Sequence, residues 1–504
     1  MKPLQTTLLL TATAATASSL WASPPLDFSY SSPSRPTPGY LNEWLRMDDP
    51  YMLQWDLGIN ERLRYEGRSH GGFTSGGPGT DFRASGVNND NHYFLSRTLP
   101  RIGYTDKWFQ VFIQGENSSV TGDRRVSVPG STTSLGKGGA SPESNGPLDL
   151  HQGYLFLGNH KEFPVSLKVG RQELIYGDER LVGASMWNNV GRTFDAAKLR
   201  YQNAWFGMDA FVSRVVLAED NKFDPPNPHD NFWGLYFDTQ KIPKNRTEFY
   251  ILGRNASAQA ATLTYASPYA VGTARDIYTI GARLKANTND WGNFDYTVES
   301  AGQFGRFVEP GGKSEDQRAY MLFAGAYYTW KETTFTPKVG LEFNYGSGDS
   351  NPNDGTHETF ENLYPTNHKF YGYADYFSLQ NLINTRGIFS LKPSARTTLT
   401  AEGHLFWAAD THDSLYAVTG ARRGTATLQP VAARGTGYGI NPDADPYVGA
   451  EIDLIAAWAL SPFINLEGGF SHFFHGNYIS DSFSKVPGGA TDAEWVWVQT
   501  TINF

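Results

Sequence analysis

The amino-acid sequence predicts an all-β protein: a single antiparallel transmembrane β-barrel of about 18 strands, with 16 as the alternative. Three observations predict this fold class. Apolar and polar residues alternate through many segments of about ten residues. Aromatic residues make up 14% of the chain, whereas charged residues make up only 18%. An N-terminal export signal is followed by no apolar run long enough for a membrane-spanning helix.

Composition excludes several protein classes. The chain has 504 residues, a net charge of −9 and no cysteine, and its mean hydropathy is −0.44. These values argue against a helical transporter, and the aromatic content argues against disorder. The lack of cysteine excludes a disulfide scaffold, a Cys-ligated zinc site and a cysteine nucleophile. The acidic balance gives no reason to expect a nucleic-acid partner.

The N-terminus predicts export. Lys2, an apolar stretch over 6–17 and small residues up to Ala22 describe a secretory signal peptide over 1–22. We expect a flexible Pro/Ser-rich lead over 23–49 and a barrel domain over 50–504. Together these segments predict a protein of the bacterial outer membrane.

The alternation itself is regular. In one segment, the apolar residues of one parity are Phe335, Pro337, Val339, Leu341, Phe343 and Tyr345, and the other parity includes Lys338, Glu342 and Asn344. The same pattern recurs near the start with Leu57, Ile59 and Leu63, near residues 294–304 and 399–407, and over Val448, Ala450, Ile452, Leu454, Ala456 and Trp458. Glu61 breaks the pattern. Because ionisable residues fill the other parity, that face is predicted to line a wet lumen.

Length sets the number of strands. At roughly 25–30 residues per strand and connection, the mature chain gives about 16–18 strands, and an even number is expected. Long polar connections are predicted near 117–147, 217–231, 346–376 and 408–447. The chain finishes on an alternating strand that ends at Phe504, which resembles the signal that outer-membrane barrels present to the barrel-insertion machinery.

One stretch is much more specific than the barrel pattern. Residues 170–181 spell G-R-Q-E-L-I-Y-G-D-E-R-L, followed by W-N-N at 187–189 and R-T-F-D at 192–195. With F-E-N-L-Y-P-T-N-H at 360–368, the pair Arg62 and Arg64, and Gly449, Glu451 and Asp453, this stretch resembles the alginate export family of outer-membrane barrels. The similarity covers roughly residues 50 to 504. It implies an 18-stranded monomeric barrel with a charged lumen.

The resemblance also implies passive export of an anionic polysaccharide or oligosaccharide, with periplasmic secretion partners and outer-membrane lipids as its surroundings. Guanidinium groups bind carboxylates in bidentate geometry, and clustered positive charge concentrates anions. The candidate path residues are Arg62, Arg64, Arg97, Arg171, Arg180, Arg192, Lys198 and Arg200. Alternatively, each cation pairs with a nearby carboxylate and braces the wall; the candidate partners are Glu66, Asp178 and Asp195.

Other functions stay open at this stage. The first alternative is a porin that takes up anionic sugars, carboxylates or other small solutes, because the direction of transport leaves no mark in a barrel sequence. A barrel lipase or protease would need a nucleophile paired with histidine, and no such motif stands out, so we expect no enzyme, cofactor or metal. A secreted β-sandwich is the remaining alternative. Gly177, Gly183 and Gly191 are expected in tight turns or in a connection folded into the lumen.

Overall fold

A computed structural model describes residues 39–70, 82–86, 89–123, 143–218, 222–257, 273–309, 311–424 and 427–504. The predicted signal peptide and the first part of the predicted lead lie outside these ranges. No helix among the described residues is both long and apolar enough to cross a bilayer.

Strands dominate the described chain. Their bounds are β1 Trp55–Ser69, β2 Asn91–Thr105, β3 Phe109–Thr121, β4 Asn145–Gly158, β5 Val165–Gln172, β6 Phe194–Gln202, β7 Gly207–Val216, β8 Pro226–Thr239, β9 Asn245–Ala256, β10 Arg275–Ala286, β11 Phe294–Val308, β12 Ser314–Thr329, β13 Lys338–Gly346, β14 Thr356–His357, β15 Leu382–Ser394, β16 Thr397–Ala408, β17 Tyr447–Ser461, β18 Ile464–His475 and β19 Ala493–Asn503. Two α-helices, α1 Tyr40–Asp48 and α2 Asn477–Ser482, and three short 3₁₀ helices, Pro50–Gln54, Asn367–Lys369 and Val431–Ala433, accompany them.

The sheet closes on itself. Each long strand pairs antiparallel with its neighbours in sequence, and β1 pairs with both β2 and β19, so no edge remains in the described wall. Only the two-residue β14 stands apart, parallel to β12. Because the sheet is closed, each wall strand has a hydrogen-bonded neighbour on both sides, as a bilayer requires. The predicted barrel of 18 wall strands is confirmed.

The predicted alternation appears as two faces of the wall. On β1, Leu63 is 52% exposed, whereas Arg62 and Arg64 on either side are 1% and 2% exposed. Exposed apolar side chains outside and buried charges inside invert the pattern of a soluble protein and fit a lipid-facing surface. Glu61 shares the outward parity of Leu63, and it accepts a hydrogen bond from Thr98 Oγ1 at 2.5 Å.

Two details of the predicted alternation are wrong. Phe335 and Pro337 lie in the turn before β13, where Phe335 has φ 66°, because the strand begins only at Lys338. Val448 is fully buried and does not face outward. The register between β16 and β17 shifts at this point, since Phe406 pairs with Gly449 and Trp407 with Tyr447. This bulge turns Val448 toward the core.

The two ends of the barrel differ. Eight short turns, among them 395–396 and 462–463, share one end with both termini of the barrel. The long connections lie at the other end, which barrels of this type turn to the cell exterior. Helix α1, within the segment expected as a lead, packs at the turn end: Asn42 donates to Asp56 Oδ1 at 2.7 Å, and Asn42 Oδ1 accepts from the backbone N–H of Leu57.

Two of the connections that the structure describes in full fold into the lumen. We name 173–193, between β5 and β6, inner segment A, and 347–381, between β13 and β15, inner segment B. Leu174, Val182, Tyr364 and Tyr376 are at most 1% exposed and belong to a core shared with inward residues of the wall. The predicted connection over 217–231 is shorter, because β8 begins at Pro226.

Candidate functional site: the lumen and its inner segments

The two motif-bearing stretches meet inside the barrel. The backbone N–H groups of Tyr364 and Thr366 donate to the carbonyl oxygens of Leu181 and Glu179, both at 2.9 Å. The N–H of Gly183 donates in return to Tyr364 O, also at 2.9 Å. Thr366 Oγ1 adds a bond to Glu179 Oε2 at 2.8 Å. Inner segments A and B are therefore joined as one body by a short strand-like pairing.

Arginines of β1 and β2 hold inner segment A by its backbone. Arg62 donates to the carbonyl oxygens of Met186 and Asn188 at 2.8 and 3.0 Å, and Arg97 donates to the same two oxygens at 2.9 and 3.3 Å. Among the described residues, no carboxylate oxygen lies within 4.0 Å of either guanidinium group. Two buried positive charges are thus held by neutral acceptors.

The W-N-N motif anchors the same segment. Trp187 stacks on His368 of inner segment B with ring centroids 3.9 Å apart, and the guanidinium carbon of Arg64 lies 4.0 Å from the Trp187 ring centroid. Arg64 also donates to Trp187 O at 2.8 Å. The Asn189 side chain donates to the carbonyl oxygens of Ser96, Ser119 and Glu143. The motif residues therefore dock inner segment A on the wall.

Arg180 and Arg192 belong to inner segment A itself. Arg180 lies between the rings of Phe323 and Phe370, at 3.6 and 3.9 Å, and donates to Asn344 Oδ1 at 2.7 Å. Arg192 donates to the carbonyl oxygens of Gly183, Tyr364 and Pro365. It therefore fastens the pairing between the two inner segments.

Three predicted cations lie in ion pairs on β5 and β6. Lys198 and Arg200 both reach Asp209, at 3.7 and 2.8 Å, and Arg200 also binds Asp238 at 2.9 Å. Arg171 pairs with Asp195 at 2.8 Å.

Arg171 lies on the outward parity of its strand, although its side chain is buried. Arg171 pairs in register with Asp195, and both share the outward parity of Val169 and Leu199, which are 43% and 47% exposed. The Arg171 guanidinium also donates to Leu150 O and Asp224 O, within the wall near its loop end.

The two other predicted charge partners differ in their bonding. Glu66 binds Arg64 at 2.8 Å and Arg68 at 3.4 Å. Asp178 pairs with Arg283 at 2.6 Å and Lys285 at 2.8 Å, on β10, not with the neighbouring cation in its own motif. Burial by itself would raise the pKa of Asp178, but these two cations hold it far below its usual range.

Sequence reasoning missed an ion-pair network on the opposite wall. Arg254 of β9 binds Asp230 at 2.6 Å and Glu361 of inner segment B at 2.8 Å, and Arg275 of β10 binds the same Glu361. The signal was available, because Arg254 and Arg275 occupy the inward parity of their strands. The distinctive motif lies around β5 and β6, so most candidate cations were chosen from that region instead.

Charge is unevenly distributed around the lumen. We call β1 and β2 the basic wall, because they carry the buried residues Arg62, Arg64, Arg68, Arg97 and Arg101 against Asp56 and Glu66. We call β16–β19 the acidic wall: these fully described strands contain no Lys or Arg but bury Glu402, Glu451, Asp453 and Glu467. The two walls are neighbours, since β19 pairs with β1.

A family model described as alginate export matches residues 54–487. The chain belongs to the alginate export family. The resemblance inferred from the motifs is thereby confirmed, and family and fold together are those of an outer-membrane channel. The comparison with curated proteins found no match.

Solved structures show the same fold at low sequence identity. Pseudomonas aeruginosa OccK3 (OpdO) is 11% identical with a TM-score of 0.51, covering 89% of this chain and 96% of that chain. OccK7 (OpdD) of the same organism is 13% identical with a TM-score of 0.51, covering 89% and 98%. OccK5 (OpdH), also from P. aeruginosa, is 10% identical with a TM-score of 0.50, covering 90% and 98%.

Proposed function

We propose that this barrel is a passive channel that carries an alginate-like anionic polysaccharide outward across the outer membrane. Family membership supports the class of cargo. The observation that carries the proposal is the pair Arg62 and Arg97, whose buried guanidinium groups bind carbonyl oxygens of inner segment A.

A polymer carboxylate would compete well for these arginines. Hydrogen bonds between ionised partners are about twice as strong as those between neutral groups, and the planar guanidinium fits a carboxylate in bidentate geometry. A uronate that replaces the carbonyl oxygens of Met186 and Asn188 would also bring a negative charge into direct contact with both guanidinium groups. Binding of the ligand to these arginines therefore releases inner segment A from them.

The remaining inward cations differ in what holds them. Arg64 contacts inner segment A from the wall and pairs with Glu66, whereas Arg180 and Arg192 belong to inner segment A and would move with it. Lys198 and Arg200 already have carboxylate partners, so a polymer would gain less from them. We therefore place the strongest part of the path beside β1 and β2.

Uptake of small anionic solutes is the second candidate. It is favoured by the tight packing of inner segments A and B, whose buried side chains share a core with the wall. A small carboxylate could reach the arginines with a local shift, whereas a polymer requires displacement of both segments. Both functions use the same arginines and differ in the size of the cargo.

Planar-bilayer recordings test the proposal. Wild-type protein should be anion selective under a salt gradient, and oligouronates should block its current, with longer oligomers residing longer. The double substitution Arg62→Gln and Arg97→Gln should shift the reversal potential toward cation selectivity and weaken the block by about tenfold, or about 1.4 kcal/mol.

The double substitution Arg306→Gln and Arg318→Gln is the matched control, because both arginines are exposed on the outward parity of β11 and β12 and their removal changes the net charge by the same amount. Wild-type selectivity in the Arg62 and Arg97 double variant would disprove the role of those two arginines. Block by short uronates only, with no dependence on length, would favour solute uptake over polysaccharide export.

A further inference from the structure

Two tryptophans on the inner face of β19 lie beside the basic wall. Trp495 and Trp497 are 0% and 1% exposed and are the two largest fully buried side chains of the described residues. In register, Trp495 lies opposite Arg68 of β1, and Trp497 lies opposite Glu66. The guanidinium carbon of Arg68 is 4.7 Å from the ring centroid of Trp495. A pair of indole rings therefore runs alongside the arginines of β1.

Rings of the inner segments cover these indoles. Trp187 of inner segment A lies edge-on to Trp497 and Trp495, with ring centroids 5.0 and 5.8 Å apart. From inner segment B, His368 lies edge-on to Trp495 at 6.2 Å. Tyr373, also of inner segment B, lies parallel to Trp497 at 6.3 Å. Movement of the inner segments would therefore uncover two aromatic faces on the wall.

The wall behind Trp497 is shaped for a flat ring. Gly469 of β18 lies opposite Trp497 in register. A Cβ atom on Gly469 would lie 2.8 Å from Trp497 Nε1, closer than van der Waals contact allows. The indole therefore lies against the backbone of β18, and its other face is turned to Tyr373. Trp497 Nε1 is buried without a hydrogen-bond partner, so packing with the inner segments leaves one donor of this ring unsatisfied.

Arg68 is held in the same manner as the arginines that bind inner segment A. Its guanidinium group donates to Ala374 O of inner segment B at 2.7 Å and lies 3.4 Å from Glu66 Oε2. A carboxylate oxygen can replace the neutral acceptor Ala374 O, because hydrogen bonds between ionised partners are stronger. One region of the lumen thus holds a guanidinium group and two aromatic rings side by side.

A uronate residue has a part that is complementary to each of these groups. The C–H groups of its ring carry partial positive charge and pack on the negative face of an aromatic ring, while its carboxylate binds a guanidinium group. We propose that Trp495, Trp497 and Arg68 form a sugar subsite that selects uronate residues of a polymer over other anions. The two indole centroids are 5.8 Å apart, close to the length of one pyranose residue. This proposal rests on the proposed function, since the inner segments must move before a sugar reaches these rings.

The sugar subsite distinguishes the two candidate cargoes. A small carboxylate gains only the contact with an arginine, and it leaves the uncovered indole faces without a partner. A sugar ring also replaces the contacts that Trp187, His368 and Tyr373 make with the indoles. The exchange therefore favours a ligand that has a ring in every unit, which is a polysaccharide.

The test compares two anionic oligomers as blockers in planar bilayers: an oligouronate, and an oligoglutamate of equal charge that has no sugar ring. Both oligomers meet the arginines and both require the inner segments to move, so the ratio of their blocking concentrations reports the contribution of the sugar ring. For the wild type, the oligouronate should block at a concentration at least about tenfold lower. Trp495→Leu with Trp497→Leu should reduce this ratio to about one, whereas Trp495→Phe with Trp497→Phe should keep most of it.

Trp205→Leu with Trp458→Leu is the matched control. Trp205 lies in the turn between β6 and β7 and Trp458 on the outward parity of β17, and they are 69% and 49% exposed. This control should keep the wild-type ratio. Heat-modifiable gel mobility reports whether each variant forms the barrel. If the inner double variant does not form it, Trp495→Leu and Trp497→Leu are tested singly, and each should lower the ratio by about threefold.

The outcomes separate the sugar subsite from the anion path. Equal block of the wild type by both oligomers would overturn the sugar subsite and leave the arginine path intact. A wild-type ratio in the Leu variants would overturn it as well. Loss of the ratio in the control variant would show that the effect does not belong to the lumen. Absence of block by either oligomer would overturn the proposed function, and the sugar subsite with it.

Discussion

The basic wall and the acidic wall are neighbours in one sheet, yet their charges are balanced by different means. On β1 and β2, Arg64 and Arg101 pair with Glu66 and Asp56, and the surplus arginines bind backbone carbonyl oxygens of inner segment A. On β16–β19 there is no Lys or Arg, and Arg386 of β15 binds Glu402 on this wall and Glu342 on β13. Inner segment A thus supplies neutral acceptors to the surplus arginines of the basic wall, whereas the arginine that balances Glu402 on the acidic wall comes from the neighbouring strand β15.

Charge reversal is expected to have the largest effect, and that effect should differ between the two walls. Arg64→Glu would bury a carboxylate beside Glu66 and remove the contact with Trp187, so we expect a loss of about 3–5 kcal/mol in the free energy of unfolding. On the acidic wall, Glu467→Lys adds a cation among carboxylates and should cost less than about 1 kcal/mol. Unfolding in guanidinium, followed by tryptophan fluorescence, measures both. Equal losses would show that charge imbalance does not distinguish the two walls.

The second-largest effect is expected when the contacts that hold the inner segments are removed. Asn189→Ala removes three hydrogen bonds to wall and loop carbonyl oxygens and the side-chain oxygen that accepts from Arg62. The loss of each bond costs about 0.5–1.5 kcal/mol. We expect the single-channel conductance to rise several-fold while the barrel stays folded.

The counterpart on the acidic wall is Glu451→Ala, which removes one bond, to the N–H of Ala374 in inner segment B. Its conductance should change less than that of Asn189→Ala. A larger change in Glu451→Ala would mean that inner segment B, and not inner segment A, controls the opening.

The smallest effect is expected when one residue of the acidic wall is neutralised. Glu467→Gln removes an inward negative charge and retains the shape needed to contact Gln499. Anion selectivity should rise by a few millivolts of reversal potential, opposite in sign to the shift in the Arg62 and Arg97 double variant. A shift toward cations would contradict the placement of Glu467 in the conducting lumen.

The wall could be predicted from sequence because a strand has a period of two. A residue beside Leu63 or Leu341 must face the lumen, and the structure agrees for Arg62 and Glu342. The errors occur where that period is interrupted, at the bulge beside Val448 and at the turn containing Phe335. Arg171 was assigned by its motif, although it shares the outward parity of Val169 in the same strand.

The inner segments could not be predicted in the same way. Nothing local in G-D-E-R-L or in F-E-N-L-Y-P-T-N specifies that Leu181 and Tyr364 pair across a lumen, since 182 residues separate them along the chain. The partners of Asp178 and Glu361 lie on β9 and β10, which only closure of the barrel brings near. Resemblance identified the segments as important, but it did not show that they bind each other.

The hydrogen bonds from Arg62 and Arg97 to the backbone of inner segment A have a practical consequence. Because the arginines bind the carbonyl oxygens of Met186 and Asn188, the side chains at these two half-buried positions can be exchanged without removing an acceptor. In a chain without cysteine, Asn188→Cys would give a unique attachment point for a spin label or a fluorophore. Such a reporter would follow the movement of inner segment A in real time, in a protein whose barrel and docking contacts are otherwise native.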